Sequence, residues 1–83
     1  MTEVEKNDLI LRTIFATLFE VEQSEVTDDS SQDTLARWDS MGMVNLVSEV
    51  EAKFGVEFEL MELAEFRTVA DVKGALRERA VAI

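Results

Sequence analysis

Apolar residues recur at helical spacing from Val4 to Phe19, with Val4, Leu11, Ile14, Phe15 and Leu18 on one face. Thr2 stands three residues before Glu5, the spacing of a reciprocal hydroxyl–carboxylate cap, so the pattern predicts a helix over 4–19. The period is then lost. Residues 22–39, EQSEVTDDSSQDTLARWD, fill with Ser, Thr and Asp and predict a long loop, which Val26, Leu35 and Trp38 are placed to pin to a core. Periodicity returns at Ser40 and runs to Phe54, where Gly55 supplies a stop. Met43, Leu46, Val47, Val50 and Phe54 share an arc of about 100°, the width of a core stripe. Met41, Asn45, Ser48, Glu49 and Ala52 take the opposite face, with Val44 near the boundary.

Residues 56–66, VEFELMELAEF, alternate briefly and then predict a short helical turn around Leu60, Leu63 and Phe66. A strand over 56–60 is the competing arrangement, but it has no partner. A last helix runs from Thr68 to Ala80, with Thr68 and Asp71 at its start and Val69, Val72 and Leu76 facing inward. The expected fold is all-α: a small bundle of three longer helices plus one short helix, with a long loop between the first two. Residues 1–83 are expected to form a single domain.

Composition narrows the chemistry. The chain has no Cys and no His, which excludes disulfides, thiolate chemistry, the usual zinc sites and imidazole bases. Residues 28–39 and 29–40 fail as calcium loops, because Asp33 and Thr34 stand where Gly is required and Asp39 and Ser40 where Glu is required. No metal site is expected. No apolar run approaches the roughly 18 residues that span a bilayer, and MTEVEKND is too polar for a signal peptide. A cytoplasmic protein without membrane association is the expectation. Of the net charge of −10, residues 20–65 carry −11 and the rest +1. That field repels nucleic-acid phosphates and favours encounter with basic protein surfaces.

Ser40, in RWDSMG, is the residue with most chemistry to explain. Asp39 or Ser40 suits a helix cap, which contributes about 1 kcal/mol. A nucleophilic Ser40 needs a base, and none is near: Arg37 is a permanent cation, and Lys53 lies about 20 Å along the same helix. An attachment role fits better than nucleophilic catalysis. A hydroxyl at a helix N-terminus lies beside unpaired N–H groups and the positive dipole end, which favour a phosphodiester. Residue types alone leave capping and attachment both open.

The segment WDSMGMVNLVSEVEAKFGVEF (38–58) resembles the acyl carrier protein family, and the likeness extends more loosely over nearly the whole chain. It rests on Asp39, Ser40 and Met41 at the opening, Val44, Leu46 and Val47 at fixed spacing, and Glu51, Phe54, Gly55 and Val56 at the close. The resemblance implies 4′-phosphopantetheine on Ser40, added from coenzyme A by a magnesium-dependent phosphopantetheinyl transferase, with Asp39 supporting the attachment site. The prosthetic thiol would hold an acyl or aminoacyl thioester, so the working thiol comes from outside a chain that has no Cys. It further implies a monomeric carrier that is not an enzyme. Met41, Val44, Glu49 and Glu51 would dock the loading enzyme and downstream synthases or transferases with basic patches. Met43, Leu46 and Val47 would border an acyl pocket.

The chain departs from the fatty-acid-synthase type, which has Asp-Leu-Gly-Ala where this one has Leu35-Ala36-Arg37-Trp38, and a more acidic helix where Gly42, Asn45 and Ala52 are uncharged. It is more similar to discrete carriers of specialised pathways: polyketide, unusual acyl or amino-acid transfer. D-alanyl carriers share DSMG but bear a later Trp segment that has no counterpart after Phe54. The rival expectation is a cofactor-free acidic helical adaptor for a basic partner, in which Ser40 only caps.

Overall fold

The computed structural model describes residues 1–83 and is all-helical. Helix α1 spans Glu3–Phe19, α2 Ser40–Phe54, α3 Leu60–Leu63 and α4 Val69–Glu78. None is long and apolar enough to cross a membrane. The expected capping box opens α1: the Thr2 hydroxyl accepts the Glu5 N–H at 3.1 Å and the Glu5 carboxylate accepts the Thr2 N–H at 3.2 Å.

The buried face of α1 is Leu11, Ile14, Phe15 and Phe19, which corrects the sequence expectation at two positions. Val4 is exposed although it falls in line with Leu11, because the contacts covering this face end at Asn7 and Asp8, which meet Ala82 and Lys73. Leu18 is only half-buried, whereas Phe19 turns inward to stack on Trp38, ring centroids 5.9 Å apart. Phe15 meets the same indole edge-on at 5.1 Å. Such aromatic pairs add about 0.5–1.5 kcal/mol beyond their burial.

The loop between α1 and α2 holds more structure than its composition suggested. It contains a 3-10 turn, Gln23–Glu25, and buries Val26, Ser30, Leu35 and Trp38. The Ser30 hydroxyl accepts the Thr27 N–H, which answers the cost of burying it. The carbonyls of Asp28 and Ser30 accept the N–H groups of Ala70 and Val69, both at 3.0 Å, and Ser31 bridges Thr68. These bonds use two N–H groups that the first turn of a helix leaves without internal partners.

The same junction carries a buried cation. Lys73 Nζ, on α4, meets Asp28 Oδ1 at 2.6 Å and pairs with Asp8 of α1. Burial by itself would lower the Lys73 pKa, but hydrogen bonds and charge from Asp28 and Asp8 outweigh it and raise the ammonium above its ordinary value. Burial likewise pushes the Asp8 carboxyl up, and Lys73 with Arg12 more than reverses this, holding it below the usual carboxylate range.

No strand forms at 56–60. In α3 Leu63 is half-buried and the following Phe66 is buried, but Leu60 is 84% exposed, so Leu60 does not join the core as expected. A helix of one turn buries one side, and that side is taken by Leu63. Helix α4 ends at Glu78, two residues before the expected Ala80. The Arg79 guanidinium reaches across to the Glu57 carbonyl and the Glu62 carboxylate, and the backbone turns left-handed at Ala80, φ 64°. Val69, Val72 and Leu76 face inward as their spacing predicted.

Candidate functional site

At RWDSMG the cap falls to one of the two candidates. Asp39 is the N-cap of α2: its backbone is extended and its Oδ1 accepts the Gly42 N–H at 2.8 Å. Its carbonyl accepts the Met43 N–H, also at 2.8 Å. Ser40 is therefore the first helical residue, exposed, and its hydroxyl makes no hydrogen bond within the chain. The backbone N–H groups of Ser40 and Met41 likewise have no acceptor in the chain. The carboxylate does the capping, and the hydroxyl is left free at the positive end of a 15-residue helix.

Two features fix the position of that hydroxyl. Trp38, buried between Phe15 and Phe19, anchors the chain two residues upstream. Its indole N–H has no partner, a cost of about 1–3 kcal/mol that the surrounding apolar contacts offset. Gly42 lets α2 approach closely. A methyl group there would overlap the Arg37 carbonyl oxygen and come within 2.9 Å of the Phe19 ring. Sequence reasoning treated Gly42 only as an uncharged residue; the signal that marked it was a lone glycine inside a helical pattern.

Beside Ser40 a cleft of about 750 Å³ separates α2 from α3 and the long loop. Met43, Val44, Leu63 and Phe66 give it an apolar wall; Asp29, Asp33 and Arg67 supply its charges. Of the three residues proposed to border a pocket, only Met43 lines this cleft. Leu46 is closed off in the core and Val47 is half-buried against it. Arg67 escaped sequence reasoning because nothing in the chain's local pattern points it toward Ser40.

The four residues expected to dock partners do not form one patch. Met41 and Val44 are 75% and 62% exposed, next to Ser40 in the first turns of α2. Glu51 is half-buried and its Oε2 accepts the Phe58 N–H at 2.7 Å, so its carboxylate holds the α2–α3 connection in place. Glu49 is exposed on another side of α2, where with Lys53 it edges a groove of about 570 Å³ floored by Ile10, Ile14 and Leu18 of α1. No group of three or more acidic side chains is gathered as a metal site would need.

A family profile described as "Phosphopantetheine attachment site" matches residues 10–76, which include the whole of α2 and α3 and most of α4. No curated protein matches the chain.

Proposed function

We propose, from the premise that this chain belongs to the phosphopantetheine attachment site family, that Ser40 is the residue bearing the arm. Members carry 4′-phosphopantetheine covalently, are not themselves enzymes, and work with a phosphopantetheinyl transferase and partner enzymes. This chain is accordingly a phosphopantetheine-carrying carrier protein, and the rival reading of a cofactor-free adaptor gives way. The observation that carries the assignment is the division of labour at α2: Asp39 caps, so the exposed Ser40 hydroxyl is available. The surroundings fit the group, with two unclaimed N–H groups at Ser40 and Met41 and an open cleft alongside.

In loading, the Ser40 oxygen attacks the phosphorus of coenzyme A that bears pantetheine. The Oγ–P bond forms, the bond to adenosine 3′,5′-bisphosphate breaks, and the hydroxyl proton passes to a base of the transferase. We assign that base to the transferase, since this chain has no His and the Ser40 hydroxyl makes no hydrogen bond to any of its side chains. Asp39 contributes by holding the first turn of α2 so that Ser40 faces outward.

The cargo we propose is an acyl or aminoacyl thioester of a specialised pathway, such as polyketide, unusual acyl or amino-acid transfer. Support comes from the neutral face beside Ser40: Met41, Val44, Asn45 and Ser48 are exposed and uncharged. Partners would meet Met41 and Val44 through apolar contacts, with Glu49 meeting a basic group from the α1 side, and the 83 residues would act as one monomeric carrier domain. The test is intact mass after incubation with coenzyme A, magnesium and a broad-specificity transferase. One added phosphopantetheine on the Ser40 peptide is expected. No gain beside a working control carrier, or a gain on another residue, would remove Ser40 from the role.

A further inference from the structure

The Ser40 cleft holds one basic side chain. Arg67 lies just after Phe66, between α3 and α4, and its guanidinium makes no hydrogen bond or ion pair within the chain. Every other arginine is engaged: Arg12 with Asp8, Arg37 with Glu20, Arg77 with the Ile83 carbonyl, and Arg79 with Glu62. Its backbone is held, because the Arg67 N–H donates to Asp71 Oδ2 at 3.0 Å and the next residue caps α4. The side chain is thus free while its root is fixed. Asp29 and Asp33 line the same cleft but form no ion pair with it, so the guanidinium has no partner even among nearby acids.

We infer that Arg67 is a positioning residue that binds the phosphodiester of the arm and draws it into the cleft between α2 and α3; this rests on the assignment of Ser40. A guanidinium suits a phosphodiester because its planar donors meet two oxygens at once. Without Arg67, Asp29 and Asp33 repel a phosphate; with it, the cleft has one place where an anion is favoured. The apolar wall of Met43, Val44, Leu63 and Phe66 then receives the rest of the arm. Arg67 takes no part in forming the bond and does not touch the thioester.

The test compares wild type with Arg67→Glu and Arg67→Lys, each converted to the holo form, by intact mass and amide ¹H–¹⁵N spectra. Wild type should gain one phosphopantetheine at Ser40 and shift amides at Ser31, Gln32, Arg67 and Thr68 as well as those around Ser40. Arg67→Glu should load but lose the shifts at 31–32 and 67–68, and Arg67→Lys should retain part of them. Raised salt should erase them in wild type, since this contact is exposed. Loading at Ser40 with no wild-type shift at 67–68 would overturn the Arg67 role alone, as would an Arg67→Glu spectrum like wild type. A response that appears only when the arm carries a dicarboxylic acyl group would also overturn it, by making the cargo the anion bound. No mass gain at Ser40 would overturn the attachment assignment together with this one.

Discussion

At the start of α4 the Thr68 hydroxyl accepts the Asp71 N–H at 3.3 Å and the Asp71 carboxylate accepts the Thr68 N–H at 3.0 Å. At the start of α2 the hydroxyl residue sits one place further in. Asp39 takes the cap, and the Ser40 hydroxyl is spent on nothing. The surroundings differ in the same sense. The first turn of α4 is bonded to the long loop through the Ser30 and Asp28 carbonyls, and its next turn through the Lys73–Asp28 ion pair, while the first turn of α2 leaves Ser40 and Met41 open. A hydroxyl at a helix start is structural when it is the cap and chemical when an adjacent carboxylate relieves it of that task.

Removing the two hydroxyls tests this most severely. Ser40→Ala should abolish loading and leave the unfolding free energy within about 0.5 kcal/mol of wild type, since no bond is lost. Thr68→Ala should load at the wild-type rate and lose about 0.5–2 kcal/mol. Mass spectrometry and urea titration of both would break the comparison if Ser40→Ala proved the less stable of the two.

Two glycines extend the contrast. In an open helix, Gly→Ala stabilises by about 0.5–1 kcal/mol. Gly74 of α4 has nothing within 4 Å of an added Cβ and should behave so. At Gly42 the Arg37 carbonyl stands in the way, and a backbone atom yields less readily than a side-chain tip. Gly42→Ala should therefore cost about 1–3 kcal/mol despite its better propensity. Thermal melts that moved both variants the same way would show that α2 is not held as closely as described.

The clamp on α4 should also be pH-sensitive. Asp8 has a depressed pKa in the folded state, so its contribution is complete above the unfolded carboxylate value of about 4 and is lost as pH falls through the lower folded value. Lys73 runs oppositely: its raised pKa makes its contribution complete below about 10.4, lost only as pH climbs past the folded value. Wild type should lose stability below about pH 4 more steeply than Asp8→Asn, measured by urea midpoints across pH. Parallel curves would mean that the Asp8 pairs with Lys73 and Arg12 add nothing.

The smallest expected effect is the most discriminating for Asp39. Asn caps about as well as Asp, so Asp39→Asn should stay within about 0.5 kcal/mol of wild type. If capping is all that Asp39 does, loading should keep its wild-type rate. A large fall in rate at unchanged stability would mean that the transferase uses the carboxylate's charge.

Much of this was legible beforehand because it is local. The capping boxes at Thr2–Glu5 and Thr68–Asp71, the stop at Gly55 and the core stripe of Leu46 and Val50 all follow from spacing within a few residues. The motif around Ser40 is also local, but its residue types left capping and attachment both open, and attachment was implied only by the resemblance to a family. What escaped depends on residues distant in sequence. Glu51 resembled a free docking acid until the Phe58 N–H, across the α2–α3 turn, was seen to hold it. The pairing of Lys73 joins it to Asp8 and Asp28, 65 and 45 residues away, and nothing in the sequence pattern marked it.

The sequence alone determined that four helices form, where three of them are capped, and that one serine stands at the start of the second. These are consequences of short-range hydrogen bonding and of the 3.6-residue period, which act between neighbours in the chain. Only the tertiary structure decided that Gly42 must be small and that Arg67 would share a cleft with Ser40. Those outcomes arise where separate segments are forced into contact by burial of the common core, and no local pattern records which neighbours that burial will bring together.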